Sequence, residues 1–382
     1  MGLAMAGALN DSVTNSAGTF RMPIPGEPAP WFKARSASNE KYSFDTVAGR
    51  YIVLCFYASS SEPVSKAVLD SFLTGHRDLF DDDHACFFGV SVDPGDENEG
   101  RVHDSMPGFR FFWDFDGAVS RLYGRIDGQR YSRVTVILDE RLRVYSVVPF
   151  GSDAKAHAAS VAQLIAVAPK IGTSLAALVP APVLVIPRIF EPQLCRSLID
   201  FYDDGGGSDS GFMRDVDGKT VGVYDYGHKR RSDKVIDDEA FRATCVARIH
   251  DRLVPEIRKV FQFHATRIER HIVACYDAAV GGHFRAHRDN TTKGTAHRRF
   301  AVSIVLNSGE FDGGCLRFPE FGRQTYSPPM GGAVVFSCSL LHEVTPVTRG
   351  TRYTYLPFLY DDAAAEVRQA NFGFIEKPEV VQ

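Results

Sequence analysis

A cluster of proline and glycine residues near the middle of the chain divides the sequence into two parts with different patterns. The breakers are Pro169, Gly172, Pro180, Pro182 and Pro187. Such a concentration suits a connection between domains. A chain of 382 residues also exceeds the size at which one hydrophobic core usually stops growing. We therefore predict a linker over residues 169–187 between two separately folded domains.

The N-terminal part alternates apolar strands with helices. Continuous apolar runs at residues 51–57 and 86–92 predict strands buried in a parallel sheet, and apolar residues spaced by three and four predict a helix between them. Residues 133–139 and 144–148 predict a hairpin, and the alanine-rich segment 154–168 a closing helix. We expect an α/β domain over residues 21–168, preceded by a disordered arm at residues 1–20.

The C-terminal part begins with helical periodicity and continues with short β-type runs. Residues 191–202 and 238–261 predict helices, the second kinked or divided at Pro255. Strand patterns follow at residues 268–275, 300–306, 332–337 and 353–359. This order predicts a mainly β sandwich or barrel with supporting helices over residues 188–382.

Composition and charge limit the classes of function. Hydrophobic residues make up 44% and charged residues 24%, no apolar stretch is long enough to span a bilayer, and the net charge of −4 is spread along the chain. We expect neither a nucleic-acid nor a membrane partner. The 7 cysteines are an odd number among apolar neighbours, which indicates reduced thiols, and residues 1–19 lack a secretory pattern, so a cytoplasmic location is expected.

A set of metal-ligand residues lies in the C-terminal part. His287 and Asp289 are two positions apart, so their side chains can share one side at a strand end. His342 follows a second strand. Two imidazoles and one carboxylate on one face are the usual ligands of redox-active non-haem iron. We predict that these three residues bind iron, with His283 as a less favoured alternative to His287.

An arginine follows the last of these residues. 2-Oxoglutarate chelates such a metal through its keto-acid end, and its distal carboxylate needs a cation, which a guanidinium provides with two parallel hydrogen bonds. Arg352 lies on the strand after His342 and is the predicted partner. Arg349 is the alternative, but its Thr-Arg-Gly turn favours exposure.

These residues and the segments 311–318, 328–336 and 342–352 resemble the prolyl-4-hydroxylase-type branch of the iron(II)/2-oxoglutarate oxygenases, over about residues 182–360. The resemblance implies a double-stranded β-helix (jelly roll) that uses Fe(II), 2-oxoglutarate and O₂, with ascorbate as reductant. The implied reaction couples decarboxylation of 2-oxoglutarate to succinate with hydroxylation of a C–H bond. Tyr276 matches the family's co-substrate tyrosine, whereas Phe284 stands where many members have another tyrosine.

The N-terminal part, over about residues 22–168, resembles the peroxiredoxin branch of the thioredoxin-like fold. Its proline-rich start at residues 25–32 and its strands ending at Tyr57 and Asp139 carry the likeness. Ser65 stands at the position of the family's peroxidatic cysteine, and Arg133 matches its arginine. Cys55 and Cys86 have the wrong spacing to replace that cysteine. We therefore expect a redox-inactive domain with a structural, dimerising or substrate-presenting role.

The leading hypothesis is an oxygenase that hydroxylates a protein, a peptide, an amino acid or a small metabolite. Its alternatives are a peroxide-handling thioredoxin-like enzyme and a non-enzymatic scaffold with a retained metal site. Homodimerisation stays open. Residues 290–293, directly after the predicted iron ligands, are expected to form a solvated loop, with a lid or substrate contact as the second interpretation.

Overall fold

The computed structural model describes residues 21–168 and 180–375. The chain divides between Ala168 and Pro169 into an N-terminal unit and a C-terminal unit. The arm expected at residues 1–20 and residues 169–179 of the expected linker lie outside the described residues.

The N-terminal unit is built on a seven-stranded mixed sheet in the order β2-β1-β5-β4-β3-β8-β9. Its strands, with the separate β6–β7 hairpin, are β1 Lys33–Ser36, β2 Tyr42–Ser43, β3 Tyr51–Ala58, β4 Ala85–Ser91, β5 Phe109–Trp113, β6 Ile126–Asp127, β7 Arg130–Tyr131, β8 Val134–Leu138 and β9 Val144–Pro149. The helices are α1 Pro63–Asp70, α2 Pro94–Asn98, α3 Ala118–Leu122 and α4 Ala154–Val167.

The centre of this sheet follows from its apolar strands. Every residue of β3 and β4 is buried, as expected for parallel strands covered on both faces. Strands β3, β4 and β5 pair in parallel, while β8 runs antiparallel to β3 and forms a hairpin with β9. The predicted α/β thioredoxin-like class of this unit is confirmed.

The C-terminal unit is rich in antiparallel strands. They are β10 Leu184–Ile186, β11 Ser208–Asp209, β12 Phe212–Val216, β13 Lys219–Val223, β14 Lys229–Arg230, β15 Ser232–Val235, β16 Arg267–Glu269, β17 Ile272–Asp277, β18 His283–His287, β19 Phe300–Val305, β20 Asp312–Gly313, β21 Leu316–Arg317, β22 Thr325–Tyr326, β23 Ala333–Ser337, β24 His342–Val344, β25 Val347–Arg349, β26 Thr351–Tyr355 and β27 Phe358–Tyr360. The helices are α5 Pro192–Asp203, α6 Glu239–Arg252, α7 Val254–Phe261 and α8 Asp362–Asn371.

Two antiparallel sheets enclose the interior of this unit. The major sheet contains the path β10-β23-β19-β26-β17-β15-β11, and the minor sheet has the order β14-β18-β24-β21-β22. One apolar cluster joins their inner faces, including Tyr276 and Phe336 from the major sheet with Phe284 and Val344 from the minor sheet. A second cluster joins the other face of the major sheet to helices α5, α6 and α7. The predicted double-stranded β-helix class with supporting helices is confirmed.

Several boundaries differ from the sequence expectation. Part of the expected linker is strand β10, which pairs with β23. Strands β11 to β15 lie in a segment for which the sequence predicted no strand. The helix predicted over residues 238–261 is two helices, and Pro255 lies in the first turn of the second, where its missing N–H costs no hydrogen bond. The strand predicted over residues 268–275 is interrupted at Arg270, whose φ is +70°.

Candidate metal centre and co-substrate pocket

The predicted iron ligands meet at the end of the minor sheet. His287 is the last residue of β18 and His342 the first of β24, and the two stand opposite each other in the strand register. Asp289 follows β18, and its backbone N–H donates to the carbonyl of Cys338 at 3.0 Å. Antiparallel pairing therefore brings together residues that are far apart in sequence.

Three potential ligand atoms converge within this arrangement. The Nε2 atom of His342 lies 3.3 Å from one carboxylate oxygen of Asp289, and the Nε2 atom of His287 lies 3.7 Å from the other. One ligand atom from each residue falls within 4.8 Å of the others. A metal ion bound through these atoms would have three protein ligands on one side and open positions on the other.

Hydrogen bonds fix the tautomers of both histidines. The Nδ1 atom of His287 lies 2.7 Å from the carbonyl of Arg285, and that of His342 lies 3.0 Å from the carbonyl of Leu340. A carbonyl only accepts, so each Nδ1 carries a proton and the Nε2 atom of each ring is the one that faces the Asp289 carboxylate. Burial, with the neighbouring His342, lowers the pKa of His287 well below its usual value. The donor set therefore fits a divalent metal ion, which requires neutral imidazoles.

A buried ion pair supports the segment that carries the ligands. Arg288 lies between His287 and Asp289 in sequence, and its guanidinium contacts Glu320 at 3.0 Å. Glu320 also accepts the backbone N–H of Leu341, directly before His342, at 2.9 Å. One carboxylate thus ties together both stretches of chain that bear the potential ligands.

Arg352 lies on β26 of the major sheet and is almost fully buried. Its Nη2 donates to the hydroxyl of Ser303 at 3.1 Å, whereas its Nη1 has no hydrogen-bond partner within the described residues. Burial lowers its pKa from the usual value. A buried guanidinium with an unused donor is suited to an anionic ligand, because no carboxylate among the described residues pairs with it.

Tyr276 is the cross-strand neighbour of Arg352 and shares its pocket. The two residues pair between β17 and β26, and the Arg352 guanidinium lies 5.1 Å from the centre of the tyrosine ring. Phe284 stacks on the His287 ring with centroids 3.5 Å apart, so it orients the imidazole by packing alone.

The alternatives considered from sequence lie elsewhere. Arg349 is exposed and forms an ion pair with Asp312 at 2.6 Å. The Nδ1 atom of His283 contacts the carbonyl of Gly281 at 2.7 Å, and His283 is not among the converging ligand residues. The loop after Asp289 is not simply solvated: Thr292 is buried and hydrogen-bonded to Thr295.

Sequence reasoning missed further charged residues of this interior. Lys229, Arg231 and Asp233 come from β14, β15 and the residue between them, and all three are at least partly buried. Arg231 contacts Asp233 at 2.6 Å and lies 5.9 Å from the centre of the Tyr276 ring. The dense basic run at residues 228–231 indicated charge in this segment, but only the structure shows that Arg231 lies against Tyr276 and Lys229 against Phe284.

The N-terminal unit lacks a nucleophile at the corresponding peroxiredoxin position. Ser65 is buried, and its hydroxyl donates to the carbonyl of Tyr57 at 2.6 Å. Arg133 has an ion-pair partner that the sequence did not suggest, the carboxylate of Glu62. Burial raises the pKa values of Cys55 and Cys86 to about 12, so neither thiol forms a thiolate readily.

Comparison with known proteins gives the class of each unit. The family model of the 2OG-Fe(II) oxygenase superfamily matches residues 271–360, and that of the AhpC/TSA family matches residues 25–147. The chain thus combines a C-terminal 2OG-Fe(II) oxygenase domain, similar to prolyl hydroxylases, with an N-terminal peroxiredoxin-like AhpC/TSA domain. The first of these matches contains all three potential metal ligands, Arg352 and Tyr276.

Individual relatives share only part of their length with this chain. A PKHD-type hydroxylase of Synechococcus sp. is 34% identical over 88 residues, 22% of this chain and 38% of that protein. A PKHD-type hydroxylase of Pseudomonas fluorescens is 38% identical over 90 residues, 22% of this chain and 39% of that protein. The chain therefore spans well under half the length of these relatives.

Two solved structures are similar at lower identity. A Pseudomonas putida prolyl-4-hydroxylase has 21% identity and a TM-score of 0.35, covering 47% of this chain and 92% of that one. The peroxidoxin BcpB of Mycobacterium tuberculosis has 18% identity and a TM-score of 0.32, covering 38% and 99%. Within residues 21–168 and 180–375, no helix has the length and apolar character needed to cross a membrane.

Proposed function

We propose that this protein is an iron(II)- and 2-oxoglutarate-dependent hydroxylase. The observation that carries the proposal is the convergence of His287, Asp289 and His342 in one interior with the buried Arg352, whose Nη1 has no partner within the described residues. A metal site alone would suit many functions. The combination with an uncompensated guanidinium suits a ligand that chelates the metal at one end and is anionic at the other.

Each residue has a distinct role in this proposal. His287, Asp289 and His342 bind Fe(II), which when bound supplies the activation of O₂. Arg352 pairs with the distal carboxylate of 2-oxoglutarate and fixes its orientation, and Tyr276 packs against that arginine. Phe284 holds the His287 ring in place by stacking.

The overall reaction balances without a further redox partner. 2-Oxoglutarate, O₂ and a substrate C–H group give succinate, CO₂ and a hydroxylated substrate, with one oxygen atom entering each organic product. Ascorbate would serve only to return oxidised iron to Fe(II). In this proposal the peroxiredoxin-like unit supplies no redox group, since Ser65 is buried and Arg133 pairs with Glu62, and its expected role stays structural, dimerising or substrate-presenting.

Anaerobic titration tests the proposal. We expect Fe(II) followed by 2-oxoglutarate to produce a weak visible charge-transfer band in the wild-type protein. The His287→Ala and His342→Ala variants should lack the band, whereas His283→Ala, a nearby histidine outside the ligand set, should keep it. A wild-type protein that binds Fe(II) and 2-oxoglutarate without this band would contradict the proposal.

A further inference from the structure

Four basic side chains from different strands and loops gather around the metal-ligand residues. This cationic cluster consists of Lys229, Arg231, Arg270 and Arg298. The guanidinium groups of Arg270 and Arg298 lie 4.4 and 4.0 Å from the centre of the same ring, that of Phe358. Arg298 also donates to the backbone carbonyl of the potential ligand Asp289 at 3.4 Å. The cluster is therefore part of the same interior as the metal centre.

Two members of the cluster have carboxylate partners. Arg231 pairs with Asp233 at 2.6 Å, and Arg298 pairs with Glu269 at 2.6 Å. These pairs are complete without any ligand, although the Nε atom of Arg231 remains buried without a hydrogen-bond acceptor in the described residues. Asp233 and Glu269 are thus already paired with cations of this cluster.

The other two members have no carboxylate partner within the described residues. The ammonium group of Lys229 donates to the hydroxyl of Ser210 at 2.7 Å and to the carbonyl of Gly211 at 2.6 Å. Arg270 donates from Nε to the carbonyl of Leu356 at 3.0 Å, and its two terminal nitrogens have no hydrogen-bond partner among the described residues. Neutral oxygen atoms solvate these cations without balancing their charge.

The two cations lie on the metal side of the pocket. Lys229 pairs with Phe284 in the strand register, and its Nζ lies 4.8 Å from the centre of that ring, which stacks on His287. Arg270 shares the ring of Phe358 with Arg298, which donates to the backbone carbonyl of Asp289 at 3.4 Å. Arg270 also adopts the left-handed backbone region, with φ +70°, which is rare for a residue with a side chain and is common at ligand sites.

The pKa values of Lys229 and Arg270 shift in the direction expected for buried cations without a carboxylate partner. Burial, reinforced by Arg231, lowers the pKa of Lys229 well below its usual value. Burial and the neighbouring Arg231 and Arg298 lower the pKa of Arg270 to about 10. Like charges gathered in a buried site destabilise one another unless an anion binds between them. In the proposed function, Arg352 and the metal already account for both carboxylates of 2-oxoglutarate.

We propose that the hydroxylated substrate carries an anionic group, a carboxylate or a phosphate, which Lys229 and Arg270 bind beside the metal ligands. This inference rests on the proposed function and specifies its substrate class. A free amino acid or another small organic acid has such a group close to its C–H bonds. An uncharged residue inside a polypeptide, such as a prolyl residue, has only neutral groups there, so a substrate with its own anionic group is favoured over it.

Calorimetry on the full chain loaded with Mn(II) and 2-oxoglutarate tests the inference without turnover. The probes are matched pairs: the free L-amino acids against their primary amides, and phosphate monoesters against their parent alcohols. We expect at least one anionic member to bind about tenfold or more tightly than its neutral partner, the loss expected for one charge-assisted hydrogen bond. The pair that shows the difference identifies the anionic group.

Variants assign the effect to the two cations. Lys229→Met and Arg270→Asn should each weaken binding of that anion about tenfold or more while leaving 2-oxoglutarate affinity unchanged. Asparagine is chosen because it tolerates the left-handed backbone region. The matched controls are Lys259→Met, an exposed lysine, and Arg188→Asn, an exposed arginine with φ +62°; neither should change binding.

The outcomes separate this inference from the proposed function. If 2-oxoglutarate does not bind to the metal-loaded wild-type protein, the proposed function fails. If it binds but no anionic member of any pair is preferred, only the substrate inference fails. Loss of 2-oxoglutarate binding in Lys229→Met or Arg270→Asn would assign the cluster to the co-substrate and overturn the inference. If a variant does not fold, the comparison of pairs on the wild-type protein still decides.

Discussion

Replacing Arg352 by methionine separates ligand binding from folding. The guanidinium is buried, its Nη2 donates to the hydroxyl of Ser303, and its Nη1 has no hydrogen-bond partner among the residues that the structure describes. Removing one partner of a buried charge pair costs about 2–5 kcal/mol of binding free energy. Since about 1.4 kcal/mol corresponds to a factor of ten, the affinity for 2-oxoglutarate should fall roughly 30- to 4,000-fold.

The same substitution should leave the free energy of unfolding nearly unchanged. Arg352→Met loses a cation–π contact with Tyr276 worth about 0.5–2 kcal/mol. It also removes a buried cation without a carboxylate partner in the described residues, and replacing buried charges by apolar side chains of similar size is often neutral or stabilising. A typical structural arginine would behave in the opposite way, with a large loss of stability.

The assay is the anaerobic titration of 2-oxoglutarate into the Fe(II)-loaded protein, followed by the charge-transfer band, with urea unfolding of the metal-free protein beside it. Arg349→Met is the matched control, because Arg349 is exposed and pairs with Asp312 at the surface. It should bind 2-oxoglutarate like the wild-type protein. Wild-type affinity in Arg352→Met, or weakened binding in Arg349→Met, would refute the assignment of Arg352.

Three further predictions concern stability and the N-terminal unit. Glu320→Ala leaves the buried Arg288 without this carboxylate and should lower the free energy of unfolding by about 3–5 kcal/mol in urea. Glu343→Ala on β24 should cost much less, because its partner Arg317 is more exposed. Although burial opposes it, hydrogen bonds and charges from His297 and Arg298 hold the pKa of Glu269 far below its usual value. The ionised carboxylate therefore stabilises the fold above the unfolded-state pKa of about 4.3, and this contribution should be lost as the pH falls below that value. In Glu269→Gln the free energy of unfolding should fall less steeply with decreasing pH. The same dependence on pH in the variant and the wild-type protein would contradict this. Ser65→Cys alone should give a poorly reactive thiol, because Arg133 is paired with Glu62. Adding Glu62→Thr should lower the pKa of that thiol, which the pH dependence of its alkylation measures. Equal reactivity of the thiol in the two variants would be the contrary result.

The potential metal ligands could be predicted from sequence because their signal is local. His287 and Asp289 are two positions apart at a strand end, and His342 directly follows an apolar strand. Arg352 was identifiable by its position on the next strand and by the turn that exposes Arg349. The structure brings these residues together as expected, and their roles in binding and catalysis stay predictions for the experiments above.

The cationic cluster could not be predicted from sequence, because its members come together only through the register of paired strands. Lys229 reaches the metal side through the pairing of β14 with β18, and Arg231 reaches Tyr276 because the neighbouring Ser232 pairs with Cys275. The segment from residue 208 to 235 is polar and rich in glycine, so its strands lack the apolar alternation that marks a half-buried strand. Arg270 interrupts a strand pattern by adopting the left-handed backbone conformation, which a sequence usually signals by glycine or asparagine and not by arginine.

The two units contain arginines of two kinds, those with a carboxylate partner and those without one among the described residues. In the N-terminal unit, Arg133, matched by sequence to the peroxiredoxin arginine, has its counter-charge in Glu62, and the hydroxyl of Ser65 donates to the carbonyl of Tyr57. In the C-terminal unit, Arg352 and Arg270 are held in place by neutral oxygens and aromatic rings, with no carboxylate partner among the described residues. A fold retains such uncompensated charges at a cost in stability, so their persistence beside a complete set of metal ligands favours anionic ligands on both sides of the metal.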